Sequence, residues 1–179
     1  MIEYIYNEDL QLKEIISEYA TNLDENLFDL SNNKPVLIVF LRHLGCPFCK
    51  EFLQTISESE NKINEKNIEL CFVHMSDDKV AKSELQKFQF KLLRTISDAN
   101  ADLYHVFGLK NATFSQLFDI NNLWRSLKVT IKNGASLKKS YGNTFQTQGM
   151  FLLHKGEIIS SFVPKTVSQK PDLSVFLKE

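Results

Sequence analysis

The chain has 179 residues, a length that suits one globular domain. Its 43% hydrophobic and 24% charged residues are ordinary values for a folded protein and exclude a disordered, collagen-like or coiled-coil chain. The 21 basic and 22 acidic side chains leave a net charge of −1, which predicts neither nucleic acid nor an anionic membrane as a partner.

The distribution of apolar residues adds expectations about location and domains. No apolar run approaches the roughly 20 residues that cross a bilayer. The acidic amino terminus lacks the basic region and apolar run of a signal peptide. We therefore predict a cytoplasmic protein with a single domain over residues 1–179, in which residues 1–34 form a helical leader.

The leader opens with apolar residues at helical spacing over Leu10–Tyr19, and the polar run Asp29–Pro35 predicts the turn that closes it. Val36–Leu41 is apolar on both faces, which predicts a strand covered on both sides of a sheet. Gly45 ends this run, and Pro47 suits the first turn of a following helix.

Strands and helices continue to alternate along the rest of the chain. We expect a strand at Ile68–Val73, a helix from Asp77 or Asp78 to about Phe90, and a short strand within Leu92–Ile96. A helix should follow over Asp98–Phe107 and end at Gly108. Near the end of the chain we expect a hairpin of Met150–Leu153 and Glu157–Val163, with its turn at Lys155 and Gly156, and a short helix after Pro171. Asn111–Phe145 predicts an inserted segment of one or two amphipathic helices and a polar loop before the hairpin. This order is the connectivity of a thioredoxin-like α/β fold, with a central mixed sheet flanked by helices.

Two of the three cysteines, Cys46 and Cys49, form a Cys-x-x-Cys where the first predicted strand meets its helix. Unpaired N–H groups and the helix dipole stabilise an anion there, and such cysteines have pKa values of roughly 3.5–7.5. Cys46 is therefore the predicted nucleophilic thiolate, and Cys49, one turn into the helix, is the predicted resolving thiol. Arg42 and His43 follow the strand directly and are candidates to add positive charge beside Cys46.

Zinc binding is the alternative use of these thiols, because Cys71 and His74 add a Cys-x-x-His that completes a set of four ligands. Cys71 and His74 lie three residues apart in a predicted strand, however, so their side chains point to opposite faces. The residues favour redox chemistry with no metal site, and Cys71 as a buried strand residue. A zinc-bound or non-catalytic binding module stays open as an alternative, as does a general thiol–disulfide reductase.

The segment Val39–Glu51, with the sequence VFLRHLGCPFCKE, resembles the active-site segment of the peroxiredoxin-like 2 family. This family is the branch of the AhpC/TSA superfamily that includes prostamide/prostaglandin F synthase. Gly142–Gly149 is similar to a second motif of the family, G-D-x-x-Q-x-G-G. The resemblance implies an antioxidant, peroxiredoxin-like oxidoreductase that reduces peroxides or related oxidised substrates through a redox-active disulfide of Cys46 and Cys49. It implies no bound cofactor, and a thioredoxin- or glutathione-type thiol as the electron donor.

The chain also departs from related families at the predicted site. The peroxiredoxin signature Pro-x-x-x-Thr/Ser-x-x-Cys is absent, because Val39 and His43 occupy its first and fifth positions. Gln148 and Gly149 occupy the loop in which thioredoxins carry a cis-proline facing the Cys-x-x-Cys, and Gln148 replaces the first glycine of the family's pair. Gly149 would let a substrate lie against the strand end. The candidate substrate contacts are Pro47, Phe48, Gln148 and Gly149.

Overall fold

A five-stranded sheet forms the centre of the computed structural model, which describes residues 11–111, 142–143, 145–166 and 168–178. The strands are β1 (Val36–Phe40), β2 (Glu69–His74), β3 (Thr95–Ser97), β4 (Gly149–His154) and β5 (Glu157–Phe162). Their order in the sheet is β3-β2-β1-β4-β5. Strands β1, β2 and β3 are parallel, whereas β4 runs antiparallel to both β1 and β5. The predicted mixed α/β sheet is confirmed.

Helices cover both faces of this sheet. They are α1 (Leu27–Asn33), α2 (Pro47–Glu65), α3 (Asp78–Leu85), α4 (Asp102–Val106) and α5 (Ser174–Leu177), and residues 11–17 are also helical. The apolar cluster on one face includes side chains of α2 and α3 and residues in and beside α5. The cluster on the other face includes α1, α4 and the helical residues 11–17. No helix within the described residues is long and apolar enough to cross a membrane.

Strand β1 shows why its sequence is apolar throughout. Leu37 and Val39 belong to the cluster beneath α2, whereas Ile38 and Phe40 belong to the cluster on the opposite face. All of these side chains are 0% exposed. Side chains alternate between the faces of a strand, so a strand covered on both sides requires apolar residues at every position.

The predicted turn at Asp29–Pro35 is wrong, because helix α1 occupies most of that stretch. The side chain of Asn26 caps the helix by accepting hydrogen bonds from the N–H groups of Phe28 at 2.9 Å and Asp29 at 3.3 Å. Leu27 is fully buried in the cluster on the α4 face of the sheet. Capping and burial together outweigh the weak helix propensity of the Ser-Asn-Asn sequence that ends α1.

Helix α4 begins at Asp102, four residues after the predicted start at Asp98. The carboxylate of Asp98 instead caps α4, accepting the N–H groups of Asp102 at 3.0 Å, Leu103 at 2.9 Å and Tyr104 at 3.2 Å. Burial is the main cause that raises the pKa of Asp98. Gly108 follows with a positive φ of +72°, as expected for a residue that ends a helix.

The other predicted elements agree with the structure in kind and differ at their ends. Helix α3 ends at Leu85 and continues as a 3-10 turn over Gln86–Phe88, short of the expected Phe90. The hairpin β4–β5 and the final helix are confirmed. The amphipathic helices predicted within Asn111–Phe145 lie outside the described residues.

Candidate active site

Cys46 lies at the carboxyl end of β1, the end of a parallel sheet at which α/β proteins bind their ligands. Strand β1 stops at Phe40, and the chain then turns through a short loop into α2. Cys46 is the N-cap residue of α2, with φ −83° and ψ 131°, and Pro47 occupies the first turn as predicted. The backbone N–H of Cys46 donates to the carbonyl of His43 at 3.0 Å, which closes the loop.

The sulfur of Cys46 is surrounded by hydrogen-bond donors. Nη2 of Arg42 donates to Cys46 Sγ at 2.8 Å. The hydrogen bond from the Cys49 thiol, the charge of Arg42 and the backbone N–H groups of Cys49 and Phe48 together outweigh burial and lower the pKa of Cys46 to about 5. Cys46 is therefore a thiolate at neutral pH.

Cys49 has the opposite character. It is 2% exposed, whereas Cys46 is partly exposed. Its hydrogen bond to Cys46, and then its burial, raise the pKa of Cys49 well above the usual value. The site thus contains an accessible anionic sulfur backed by a buried neutral thiol, which are the properties of an attacking and a resolving cysteine.

Arg42 is 7% exposed, so it is part of the interior and not a solvated strand end. Burial alone would lower the pKa of Arg42, but the charges and hydrogen bonds of Cys49 and Cys46 raise it overall. The guanidinium therefore stays charged next to the sulfur. An opposite charge at this distance stabilises the thiolate more than it would in water, because the surroundings are less polar.

The two sequence motifs meet behind the loop that carries Arg42. The backbone of Gly142 forms an antiparallel bridge with that of His43, whose side chain is 3% exposed. A Cβ atom on Gly142 would lie 2.7 Å from the Arg42 carbonyl oxygen, and Gly142 has a φ of +103°. Only glycine combines this φ with so close an approach.

The candidate residues Gln148 and Gly149 lie at the same end of the sheet. Gly149 pairs with Phe40, the last residue of β1, and Gln148 precedes it. Gln148 is 4% exposed, and its Nε2 has no hydrogen-bond partner among the described residues. A Cβ on Gly149 would lie 3.0 Å from the side chain of Leu109, so internal packing already requires a glycine there. Pro47 and Phe48 are half-buried beside Cys46.

Tyr104 has a place at the site that was not predicted from the sequence. Its side chain is fully buried, and its hydroxyl donates to the carbonyl of Leu41, the residue before Arg42. The available signal was a tyrosine on an apolar helix face, because a buried phenol requires a hydrogen-bond partner.

The four residues of the zinc alternative are not brought together. Cys71 is 0% exposed and belongs to the cluster on the face of the sheet opposite α2, and burial raises its pKa to about 12. His74 is the last residue of β2 and is 2% exposed, with its Nδ1 atom 3.1 Å from the Ser76 carbonyl oxygen. Within the described ranges, no group of three or more His, Cys, Asp and Glu residues is placed to hold a metal ion.

Comparison with known families agrees with this geometry. The model of the Redoxin family matches residues 11–172. The chain belongs to the Redoxin family. This membership confirms the prediction of a thiol-dependent oxidoreductase in the thioredoxin-like AhpC/TSA superfamily. No match was found among the curated proteins.

Solved peroxiredoxin structures share the fold of this Redoxin-family chain. A cysteine-to-serine mutant of peroxiredoxin 6 from Arenicola marina has a TM-score of 0.64 at 10% identity, over 89% of this chain and 66% of that one. A yeast mitochondrial 1-Cys peroxiredoxin has a TM-score of 0.59 at 13% identity, and the match covers 89% of this chain and 68% of that one. Peroxidoxin BcpB from Mycobacterium tuberculosis has a TM-score of 0.58 at 10% identity, and the match covers 84% of this chain and 82% of that one. The chain thus spans about two thirds of the first two structures, and at these identities the likeness is one of fold.

Proposed function

We propose that this protein reduces peroxides or related oxidised substrates through a dithiol–disulfide cycle of Cys46 and Cys49. The proposal is carried by the asymmetric pair of sulfurs. Cys46 is partly exposed and lies 2.8 Å from the Arg42 guanidinium, and Cys49 is buried behind it. The finer assignment to the peroxiredoxin-like 2 branch rests on the resemblance of two segments, Val39–Glu51 and Gly142–Gly149.

The proposed reaction has two steps on the protein. The Cys46 thiolate attacks one oxygen of a hydroperoxide and breaks the O–O bond, giving a sulfenic acid on Cys46 and an alkoxide that takes up a proton. The Cys49 sulfur then attacks the Cys46 sulfur, the disulfide forms, and water leaves with the proton of the Cys49 thiol. Two equivalents of an external thiol return both cysteines to the reduced state and are themselves oxidised to a disulfide.

Neighbouring side chains would contribute to the first step. Arg42 stabilises the attacking thiolate and the negative charge that develops on the departing oxygen. The Nε2 of Gln148, which has no hydrogen-bond partner in the described part of the chain, supplies a second donor for an oxygen of the substrate. Pro47 and Phe48 form the half-buried apolar border of Cys46. His43 lies in the same loop, and we retain it as a candidate for tuning Cys46.

The electron donor is proposed to be a thiol of the thioredoxin or glutathione type. The yeast 1-Cys peroxiredoxin with this fold is described as resolved through glutathione and thioredoxin systems. We propose the cytoplasm as its compartment, because its reducing conditions would return the Cys46–Cys49 disulfide to two free thiols. We also propose that the chain acts as one domain, because Ile16 and Leu27 of the leader pack in the same cluster as the sheet.

The test is a count of free thiols after one equivalent of peroxide. The reduced protein is desalted, treated and alkylated, and its intact mass is measured. We expect two of the three thiols to disappear together and to return with reductant. Cys46→Ser should lose the reaction, Cys49→Ser should accumulate a sulfenic acid or adduct on Cys46, and Cys71→Ser should behave like the unsubstituted protein. Loss of no thiol would contradict the peroxide reaction.

Disulfide substrates are the second candidate, favoured by one observation. His43 stands where peroxiredoxins carry the threonine or serine of their signature, so no hydroxyl is available there to orient a peroxide. In that case the Cys46 thiolate attacks a substrate disulfide, and Cys49 releases the reduced product. A protein that reduces a model disulfide rapidly but leaves its thiols intact in peroxide would establish this candidate.

A further inference from the structure

We propose that Tyr104 is a positioning residue for Cys46, because its hydroxyl fixes the Leu41 carbonyl and thereby sets where Arg42 leaves the sheet. This inference rests on the proposed function, in which Cys46 is the nucleophile. Tyr104 belongs to α4, on the opposite face of the sheet from the helix that carries the cysteines.

The contact lies one residue from the site. Leu41 follows the last residue of β1, and its N–H donates to the Val73 carbonyl at 2.9 Å, which continues the pairing with β2. The Tyr104 hydroxyl donates to the carbonyl of Leu41 and also lies 2.9 Å from that of Val73. Leu41 is therefore held by two elements, because its N–H is bound by β2 and its carbonyl, which belongs to the peptide group joining Leu41 to Arg42, is bound by Tyr104 of α4.

Tyr104 is itself rigidly placed. Its ring contacts the ring of Phe40 edge to face, with centroids 4.9 Å apart. The Asp98 carboxylate accepts the Tyr104 N–H at 3.2 Å and so fixes the start of α4. The titratable groups that face the phenol are Asp98, which binds the start of α4, and the Cys49 thiol of the site. Because packing and the start of α4 hold the ring, its hydroxyl sets the position of the Leu41 carbonyl.

Removal of the hydroxyl should therefore affect the sulfur through Arg42. In Tyr104→Phe the ring and its packing remain, but the buried Leu41 carbonyl loses a donor and shifts to find another. The Arg42 guanidinium then loses its fixed approach to Cys46 Sγ, and the thiolate becomes less stable. We expect alkylation of Cys46 by iodoacetamide at pH 5 to slow by roughly twofold to fivefold, as the thiolate fraction falls.

The test compares pH profiles of Cys46 alkylation, followed by mass spectrometry of the Cys46 peptide. Ser31→Ala is the matched control, because Ser31 is a fully buried hydroxyl that donates to Phe28 at 2.8 Å and accepts from Gly156 at the far end of the sheet. Tyr104→Phe should raise the pH midpoint of Cys46 alkylation, whereas Ser31→Ala should lower only the melting temperature. In an Arg42→Met background, Tyr104→Phe should add no further shift.

The outcomes separate this inference from the proposed function. A lower melting temperature with an unchanged midpoint in Tyr104→Phe would make Tyr104 merely structural and overturn the inference. An unsubstituted protein whose Cys46 reacts no faster than an ordinary thiol would instead overturn the nucleophile itself. If Tyr104→Phe does not fold, the unsubstituted protein still provides a test. Its protected Tyr104 hydroxyl proton should shift in NMR spectra when the Cys46–Cys49 disulfide forms, and an unchanged resonance would overturn the inference.

Discussion

Arg42 and Cys46 face each other in a place that water reaches only in part. The guanidinium is 7% exposed and 2.8 Å from the sulfur. A buried cation is costly unless an anion accompanies it, and a cysteine is a poor nucleophile while its thiol is protonated. Arg42 and Cys46 therefore help to keep each other charged, and Arg42 adds to the stabilisation of the thiolate by the Cys49 thiol and the backbone N–H groups.

Substitution of Arg42 by Met tests this dependence. The alkylation profile of Cys46 in the unsubstituted protein should have its midpoint near the pKa of about 5. In Arg42→Met we expect the midpoint to rise by about 1–2 units, the usual effect of losing an opposite charge at close range. Lys50→Met is the control, because Lys50 lies one turn further along α2 and pairs with Glu84 at 3.7 Å. Equal shifts in both variants would point to a general charge effect.

Among the elements, the loop before α2 is held in place by the segment at Gly142, which lies about a hundred residues later in the chain. Gly142 packs its backbone against the Arg42 carbonyl and bridges His43. The loop is thus held by β1 on one side and by this segment on the other. The helix start that stabilises the thiolate is positioned by both.

Gly142→Ala should therefore disturb both stability and reactivity. The new Cβ would lie 2.7 Å from the Arg42 carbonyl oxygen, and the φ of +103° is unfavourable for alanine. Gly108→Ala is the matched control, since Gly108 also has a positive φ of +72° but open space around a Cβ. Both variants should lose about 1 kcal/mol from backbone strain, and Gly142→Ala should lose about 1–3 kcal/mol more from the clash. Urea unfolding measures the change in stability, and the rate of Cys46 alkylation measures the change in reactivity. Equal losses of unfolding free energy in the two variants would show that the clash at Gly142 is relieved without cost.

For the molecule as a whole, an ionic network joins the leader to the amino ends of two strands. Arg94 has a side chain 9% exposed, and it contacts Glu25 at 2.5 Å and Glu69 at 2.7 Å. Glu25 lies in the connection before α1, whereas Glu69 begins β2. The hydrogen bond with Lys34 and the charge of Arg94 lower the pKa of Glu69. The network is at the end of the sheet away from Cys46.

Arg94→Met should destabilise the protein without changing the site. Arg94 is buried but its two partners are partly exposed, so we expect a loss of about 1–3 kcal/mol in the free energy of unfolding, between the values for exposed and buried ion pairs. Lys13→Met is the control, because Lys13 pairs with Glu157 at 3.4 Å on the surface. This variant should lose less than about 0.5 kcal/mol of unfolding free energy. The Cys46 alkylation profile should be the same in both variants. A shifted profile in Arg94→Met would show that the leader communicates with the site.

The redox state should also change how stability depends on pH. In the reduced protein Cys46 has a pKa of about 5, against about 8.5 in an unfolded chain. Between these values the unfolded state binds more protons, so the contribution of Cys46 to stability rises with pH and is lost as the pH falls towards 5. The slope of unfolding free energy against pH should be steeper in the reduced protein than in Cys46→Ser. Equal slopes would contradict the lowered pKa.

Much of the molecule followed from local patterns in the sequence. The apolar run of β1, the proline at the start of α2 and the hairpin around Gly156 each depend on nearest neighbours, and each was predicted. The nucleophile was predicted as well, since the environment of a helix start is a local property. The turn expected at Asp29–Pro35 failed because Leu27 is buried against the sheet, and propensity alone does not include that burial.

The sequence by itself determined the class of fold, and it predicted Cys46 and Cys49 as the redox pair with Arg42 as a candidate neighbour. Only the tertiary structure decided which distant segments meet the loop that carries Arg42 and Cys46. The close approach of Gly142 to the Arg42 carbonyl and the hydrogen bond from Tyr104 to the Leu41 carbonyl both come from segments far along the chain. Periodicity records which face of an element is apolar, but it does not record which distant backbone that face will meet. For this reason the local sequence was enough to predict Cys46 as the nucleophile, whereas the distant segments that pack against its loop became visible only in the folded chain.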